Sequence, residues 1–178
     1  MVQSRVAGPD DLDRLLQLAA SARHELSAER GGGMWAVREA PPEPRRAELQ
    51  RAIHDRSAIV QVGCLDGYVA GYGIARLEQL RSGDRLAVVS DIFVEPAFRE
   101  VSIGEVVMDA LIGWARDHGC VGIDSLVLPG MRASKNFFER YGMKARALLV
   151  HLELHPTDPD HPGDLHGGRP DAGEVTDS

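Results

Sequence analysis

Apolar residues recur along this chain at two spacings, and the alternation between them outlines the elements. Val2 to Ala7 predicts a short strand, and Gly8-Pro9-Asp10-Asp11 supplies a turn with acidic caps for the helix that follows. Leu12, Leu15, Leu16, Leu18, Ala19 and Ala22 form that helix's apolar stripe, which fades near Leu26 and ends at Gly31-Gly32-Gly33. Met34 to Val37 and the proline-rich Ala40 to Pro44 read as a loop that packs on the surface or covers a pocket, with Trp35 its aromatic anchor. A second helix is expected from Arg45 to Asp55, with Leu49, Ala52 and Ile53 inward. Ala58 to Leu65 then reads as a strand, Asp66-Gly67 as a hairpin turn, and Tyr68 to Leu77 as the returning strand. Gly71 and Gly73 within it mark a bulge or a close backbone approach.

After a turn at Arg81 to Arg85, Leu86 to Val94 is the next strand, stopped by Pro96. Ile103, Val107, Ala110, Leu111 and Trp114 return at helical spacing, and this helix closes near His118-Gly119. Strand, tight turn and helix together aim unpaired backbone N–H groups and a positive dipole end at an anion. Cys120 to Leu128 predicts a buried strand, parallel to the previous one because a helix joins them. Met131 to Tyr141 predicts a short helix closed by Gly142, and Lys144 to Leu154 a final strand. The order is β-α-α-β-β-β-α-β-α-β: a mixed α/β chain with a mostly antiparallel sheet and helices on both faces. Residues 1–154 would form one domain. From His155 onward, acids, prolines and glycines with almost no apolar residues predict a disordered tail over 155–178.

Composition narrows the picture modestly. The 178 residues are 43% hydrophobic and 26% charged, ordinary values for a globular chain. Most of the net charge of −7 sits in the tail, where Arg169 alone opposes six acids, so the remainder is nearly neutral. A nearly neutral body argues against nucleic acid as the main partner. No window is apolar enough to span a membrane, and the N-terminus lacks the apolar core of a secretory signal. Cys64 and Cys120 are too few for a disulfide framework and fit buried thiols, so a cytoplasmic location is expected. The tail histidines His155, His161 and His166 have no readable ligand spacing, and no metal is expected.

Two motifs carry chemistry. Phe93-Val94-Glu95-Pro96 leads into Arg99-Glu100-Val101-Ser102-Ile103-Gly104, and Asn136-Phe137-Phe138-Glu139-Arg140-Tyr141-Gly142 follows a helix and a strand later. Their order and spacing resemble the GNAT family of acyl-CoA-dependent N-acyltransferases, over Val2 to about Leu154. The resemblance implies acetyl-CoA, or another acyl-CoA, held by Phe93, Val94, Arg99, Glu100, Val101, Ser102, Ile103, Gly104 and Asn136. It also implies a small-molecule or peptide amine acceptor, and it is compatible with a homodimer that no residue pattern shows. Asp91 matches a position where such proteins often place an acid, and either takes the amine's proton or bonds a strand-end backbone. Near Val94 a main-chain N–H would polarise the thioester carbonyl.

Three departures bear on activity. Ser102 stands where the family has a glycine, which disfavours a positive φ at that point. Glu100 and Glu105 flank a loop meant for a polyphosphate. Phe138 occupies the place of the usual thiolate-protonating tyrosine, and Tyr141, one turn on, could substitute only if its ring faces the sulfur. The other expectation is therefore a binding or scaffold protein on the same fold.

Overall fold

Five strands form one sheet in the order β1-β2-β3-β4-β5, from β1 (Val2–Val6) through β2 (Ala58–Leu65), β3 (Tyr68–Gln79) and β4 (Arg85–Val94) to β5 (Cys120–Ser125). The first four run antiparallel to their neighbours, and β5 lies parallel to β4. This is a computed structural model, and it describes residues 1–152 and residue 154. Residues Met1–Gly142 form one unit and Met143–Ser178 a second. Five helices complete the first unit: α1 (Leu12–Ala28), α2 (Gly32–Arg38), α3 (Arg46–His54), α4 (Ile103–Asp117) and α5 (Arg132–Arg140).

The Asp66-Gly67 turn closes the β2–β3 hairpin with both residues at positive φ, 49° and 87°, as a two-residue hairpin requires. One face of the sheet packs on α1 and α3 through Leu15, Leu18, Leu49, Val60, Tyr72 and Phe93. The other packs on α4 through Ala75, Val89, Val107 and Leu111. Helix α4 lies very close to the strands: a Cβ on Gly63 would come within 2.5 Å of Ile103, and one on Gly73 within 2.7 Å of Val107. Gly73 thus marks the close approach rather than a bulge.

Beside Gly71 there is a bulge, since Gly63 pairs with Gly71 but Cys64 with Val69, leaving Ala70 one residue too many. A second irregularity falls on β4. Ile74 pairs with Asp91 but Ala75 pairs with Val89, so Ser90 is one residue too many. Its effect is to exchange the faces of the strand. Before it Val89 points to α4, and after it Phe93 points to the α1–α3 side. Asp91 therefore faces α1 and α3 as well.

Three expected elements differ. The strand expected to be buried over Cys120 to Leu128 ends at Ser125 as the edge of the sheet, with Val121 and Leu126 exposed and Cys120 only half-buried. The stretch after Gly31 is not all loop, because Gly32–Arg38 forms α2. The strand expected over Lys144 to Leu154 is absent among the described residues: Leu148, Leu149, Val150, Leu152 and Leu154 are exposed and no ladder includes them. Strand propensity marks a segment that suits a sheet, yet only a partner edge makes it a strand. The acidic stretch 155–178 lies outside the described residues. Among the described residues no helix is long and apolar enough to cross a membrane.

Candidate active site

Strands β4 and β5 stay paired from Arg85↔Cys120 to Val89↔Ser125 and then part. Beyond that point β4 is bonded only to β3. The Glu95 N–H donates to the Ala70 carbonyl at 2.9 Å, which fixes the alternation of the strand. Glu95 and Phe93 present their main-chain groups to β3, while Ile92 and Val94 present theirs to the gap. The alternation thus turns the Val94 N–H toward the cleft.

Below the gap lies the loop into α4. The first-turn N–H groups of Ile103, Gly104 and Glu105 have no helical acceptor, and the fifteen residues of α4 add a positive dipole end. Gly104 lines the cavity beside the loop, and a Cβ there would rest in ordinary contact with the Phe137 ring at 3.4 Å. Ser102 caps the helix at φ 61°, in the left-handed region despite its side chain. The loop therefore keeps the shape a glycine would give it, with backbone strain stored at Ser102.

The remaining loop residues divide. Ile103 is fully buried and packs in the core, so only its backbone faces outward. Glu100 and Val101 are exposed and do not line the cavity beside the loop. Glu105 does line it, held by Arg140 at 3.5 Å. Arg99 is already engaged: its Nε donates to the Val94 carbonyl at 3.0 Å, and its Nη2 to both oxygens of Glu25 on α1 at 2.9 and 2.6 Å.

That cavity, of about 530 Å³, runs between α1, the end of β4, the loop and α5. Its charges nearly balance, with Glu25, Glu29 and Glu105 facing Arg99, Arg132 and Arg140. On α5, Ser134, Phe137 and Phe138 turn inward at helical spacing. Asn136 falls on the opposite side of that helix; it is exposed and lines neither this cavity nor the next. Ser134 is the polar side chain that α5 presents to both. Tyr141 is turned away, donating its hydroxyl to the Glu105 carbonyl at 3.1 Å. Tyr141 lines neither cavity, so it is not placed to protonate a thiolate, and burial and the neighbouring Asp109 push its phenol up to about 12.

A second cavity, of about 230 Å³, adjoins the first, and Ala22, Leu26, Ile92, Met131, Ser134 and Phe138 line both. It opens on the parted ends of β4 and β5 at Ser90 and Ser125, under Trp35 of α2. Asp91 sits in its wall inside a buried network. Arg45 donates to Oδ1 at 2.7 Å and to Oδ2 at 3.3 Å, the Tyr72 hydroxyl donates to Oδ1 at 3.0 Å, and the Ser90 hydroxyl to Oδ2 at 3.1 Å. Arg45 also reaches Glu48 at 3.0 Å, and Glu48 is paired with Arg76. Burial alone would push the Arg45 guanidinium down, but Asp91, Tyr72 and Glu48 around it hold it above its ordinary value. Burial, then the Asp91 charge, raises the Tyr72 phenol well above its usual range. Both groups therefore keep their protons across the physiological range.

The reasoning from sequence found Asp91 but not its partners, because Arg45 and Tyr72 lie far away in the chain. It also missed Arg132 and Arg140, whose only signal was position on the stripe of α5.

Comparison with known proteins agrees with this fold. A tetramutant of the BH1408 protein from Bacillus halodurans superposes with a TM-score of 0.74 at 21% identity, over 85% of this chain and 99% of that one. AAC(6')-Iy in complex with the bisubstrate analogue CoA-S-monomethyl-acetylneamine matches with a TM-score of 0.66 at 16% identity, over 88% of this chain and 99% of that one. Glucosamine-6-phosphate N-acetyltransferase from Arabidopsis thaliana matches with a TM-score of 0.62 at 18% identity, over 87% and 99%. No curated protein matches the sequence. The family model for the acetyltransferase (GNAT) family matches residues 20–143, which holds the parted strands, the loop and both cavities, and the chain belongs to that family.

Proposed function

We propose that this protein transfers an acetyl, or another small acyl group, from acyl-CoA to an amine by direct attack. The observation that carries this is the parting of β4 from β5 over two adjoining cavities, one of them ending at the N-terminus of α4. The fit to the cofactor is good: a cavity of about 530 Å³ with open N–H groups at its phosphate end and Arg99 and Arg132 in its wall. Residues 102–105 would hold phosphate through backbone N–H groups, with Arg99 and Arg132 beside them. Ile92 and Val94 would bond the amide-bearing arm along the open edge of β4. Acyl-CoA would supply an acyl carbon already activated as a thioester.

The residues at the junction do the rest. A new N–C bond forms as the C–S bond breaks, and the Val94 N–H donates to the carbonyl oxygen as charge gathers there. An ammonium acceptor sheds two protons, the first to free its lone pair and the second to water as the amide forms, and the first needs a base. Asp91 has four donors around its two oxygens, which fills the lone-pair positions of a carboxylate. We therefore assign Asp91 to holding Arg45 and Tyr72 in the wall. Glu39, also on the acceptor cavity and 3.3 Å from Arg38, takes the proton directly or through water. Phe138 has no proton to give, so the thiolate, with an ordinary thiol pKa of about 8–9, takes one from water.

Calorimetry with acetyl-CoA tests the assignment, and saturable heat is expected. No heat at sub-millimolar cofactor would favour the scaffold reading instead. Given binding, Glu39→Gln should lower kcat for acetylation by about a hundredfold or more while the affinity for acetyl-CoA stays unchanged; an unchanged kcat removes Glu39 from the role.

A further inference from the structure

The acceptor cavity has a chemistry of its own, and resting on the acyltransferase reading above, we infer that it takes a small primary amine with an apolar body. Polar sugars, phosphorylated amines and long polyamines are the acceptors it is built to refuse.

Three features lead there. The wall is mostly hydrocarbon, with Trp35, Val88, Leu126, Leu128, Met131 and Phe138 facing the space. A hydroxyl-rich ligand would leave its polar groups unpaired against these side chains, and each such group weakens binding. Secondly, the cations in the wall are already engaged. Arg23 donates to the carbonyls of Pro41 and Ala36, both at 3.0 Å, and Arg45 is bound to Asp91 and Glu48. A phosphate or carboxylate entering here meets no unengaged cation, and the carboxylate of Glu39 repels it. Glu39 also suits an ammonium, whereas the oxygens of Asp91 are filled by Arg45, Tyr72 and Ser90. Thirdly, the space is small. About 230 Å³ is room for roughly eight waters at ~30 Å³ each, or an amine of about that many heavy atoms. The neamine moiety of the analogue bound to AAC(6')-Iy and the glucosamine 6-phosphate for which the Arabidopsis thaliana enzyme is named differ from this class in both polarity and size.

The full chain with acetyl-CoA and a panel of amines provides the test, with free thiol release as the readout. Phenethylamine should be acetylated with kcat/KM at least about tenfold above glucosamine 6-phosphate, spermidine and neamine, the scale on which an apolar pocket discriminates. Trp35→Ala should raise KM for phenethylamine about tenfold while kcat changes far less, because the ring contributes binding rather than chemistry. Leu126 is exposed, so Leu126→Arg keeps the fold and places an unpaired cation at the cavity. It should shift the preference toward glucosamine 6-phosphate by about tenfold, the scale of one added charge pairing. Equal rates across the panel, or a preference for the phosphorylated or polycationic amines, would overturn the inference and leave the acyltransferase reading standing. Heat from acetyl-CoA with no thiol released by any amine would overturn both.

Discussion

Asp91 and Arg45 carry opposite charges in a wall that excludes water from both, with side-chain exposures of 10% and 5%. Removing one partner leaves the other charged and alone. Asp91→Asn should therefore cost about 3–5 kcal/mol of folding stability, measured by chemical denaturation. Its loss of activity should track its loss of folded protein. Ser102 offers the reverse case. Its left-handed φ is strained for any residue with a side chain, so Ser102→Gly should stabilise the chain by roughly 1 kcal/mol. A melting temperature that falls instead would mean the serine hydroxyl contributes more than its backbone costs. Neither point could be read from the sequence. Ser102 was legible as a departure from glycine, but its φ depends on how α4 is seated. Asp91 was legible as an acid on a strand. Its role depends on a bulge and on an arginine 46 positions away.

At the scale of elements, the β2–β3–β4 meander could be read because alternation, turn residues and strand lengths agree there. Helix α2 could not, because three consecutive glycines signal a break. Only Gly31, at φ 82°, serves as the turn; Gly32 is required by crowding, since a Cβ on it would lie 2.2 Å from the Leu26 carbonyl. The segment after Gly142 shows the converse, apolar enough for a strand but outside the ladder. The junction of β1 and α1 carries its own prediction. Arg5 on β1 grips Asp11 with two bonds of 2.7 Å, and the Gly8 N–H adds a third of 2.8 Å. Hydrogen bonds from Arg5, against the opposing effect of burial, hold the Asp11 carboxyl below its ordinary 3.8. A group with a lowered folded pKa stabilises above its unfolded value and loses that contribution as pH falls through the folded one. Asp11→Asn should thus cost about 1–3 kcal/mol at neutral pH. The difference from the native chain should close as pH falls below about 3.8. A gap that persists at pH 2 would assign the loss to packing.

For the whole molecule, occupation of the long cavity should couple to folding, because its walls come from α1, β4, α4 and α5 together. At one hundred times its dissociation constant, a ligand bound only by the folded state adds about 2.7 kcal/mol. Saturating acetyl-CoA should accordingly raise the melting temperature by several degrees, and scanning calorimetry across a concentration series would show it. A flat series would mean the cavity does not close on the cofactor. The hold of Glu25 on Arg99, and of Glu105 on Arg140, bears on that association in another way. Ionic strength ordinarily weakens the capture of a polyanion, because ions screen it from the arginines that attract it. Here the same ions also loosen the acids that occupy those arginines beforehand. The two effects oppose each other, so affinity for CoA should vary little between low and physiological salt, and Glu25→Gln should restore the steeper dependence of an unshielded site.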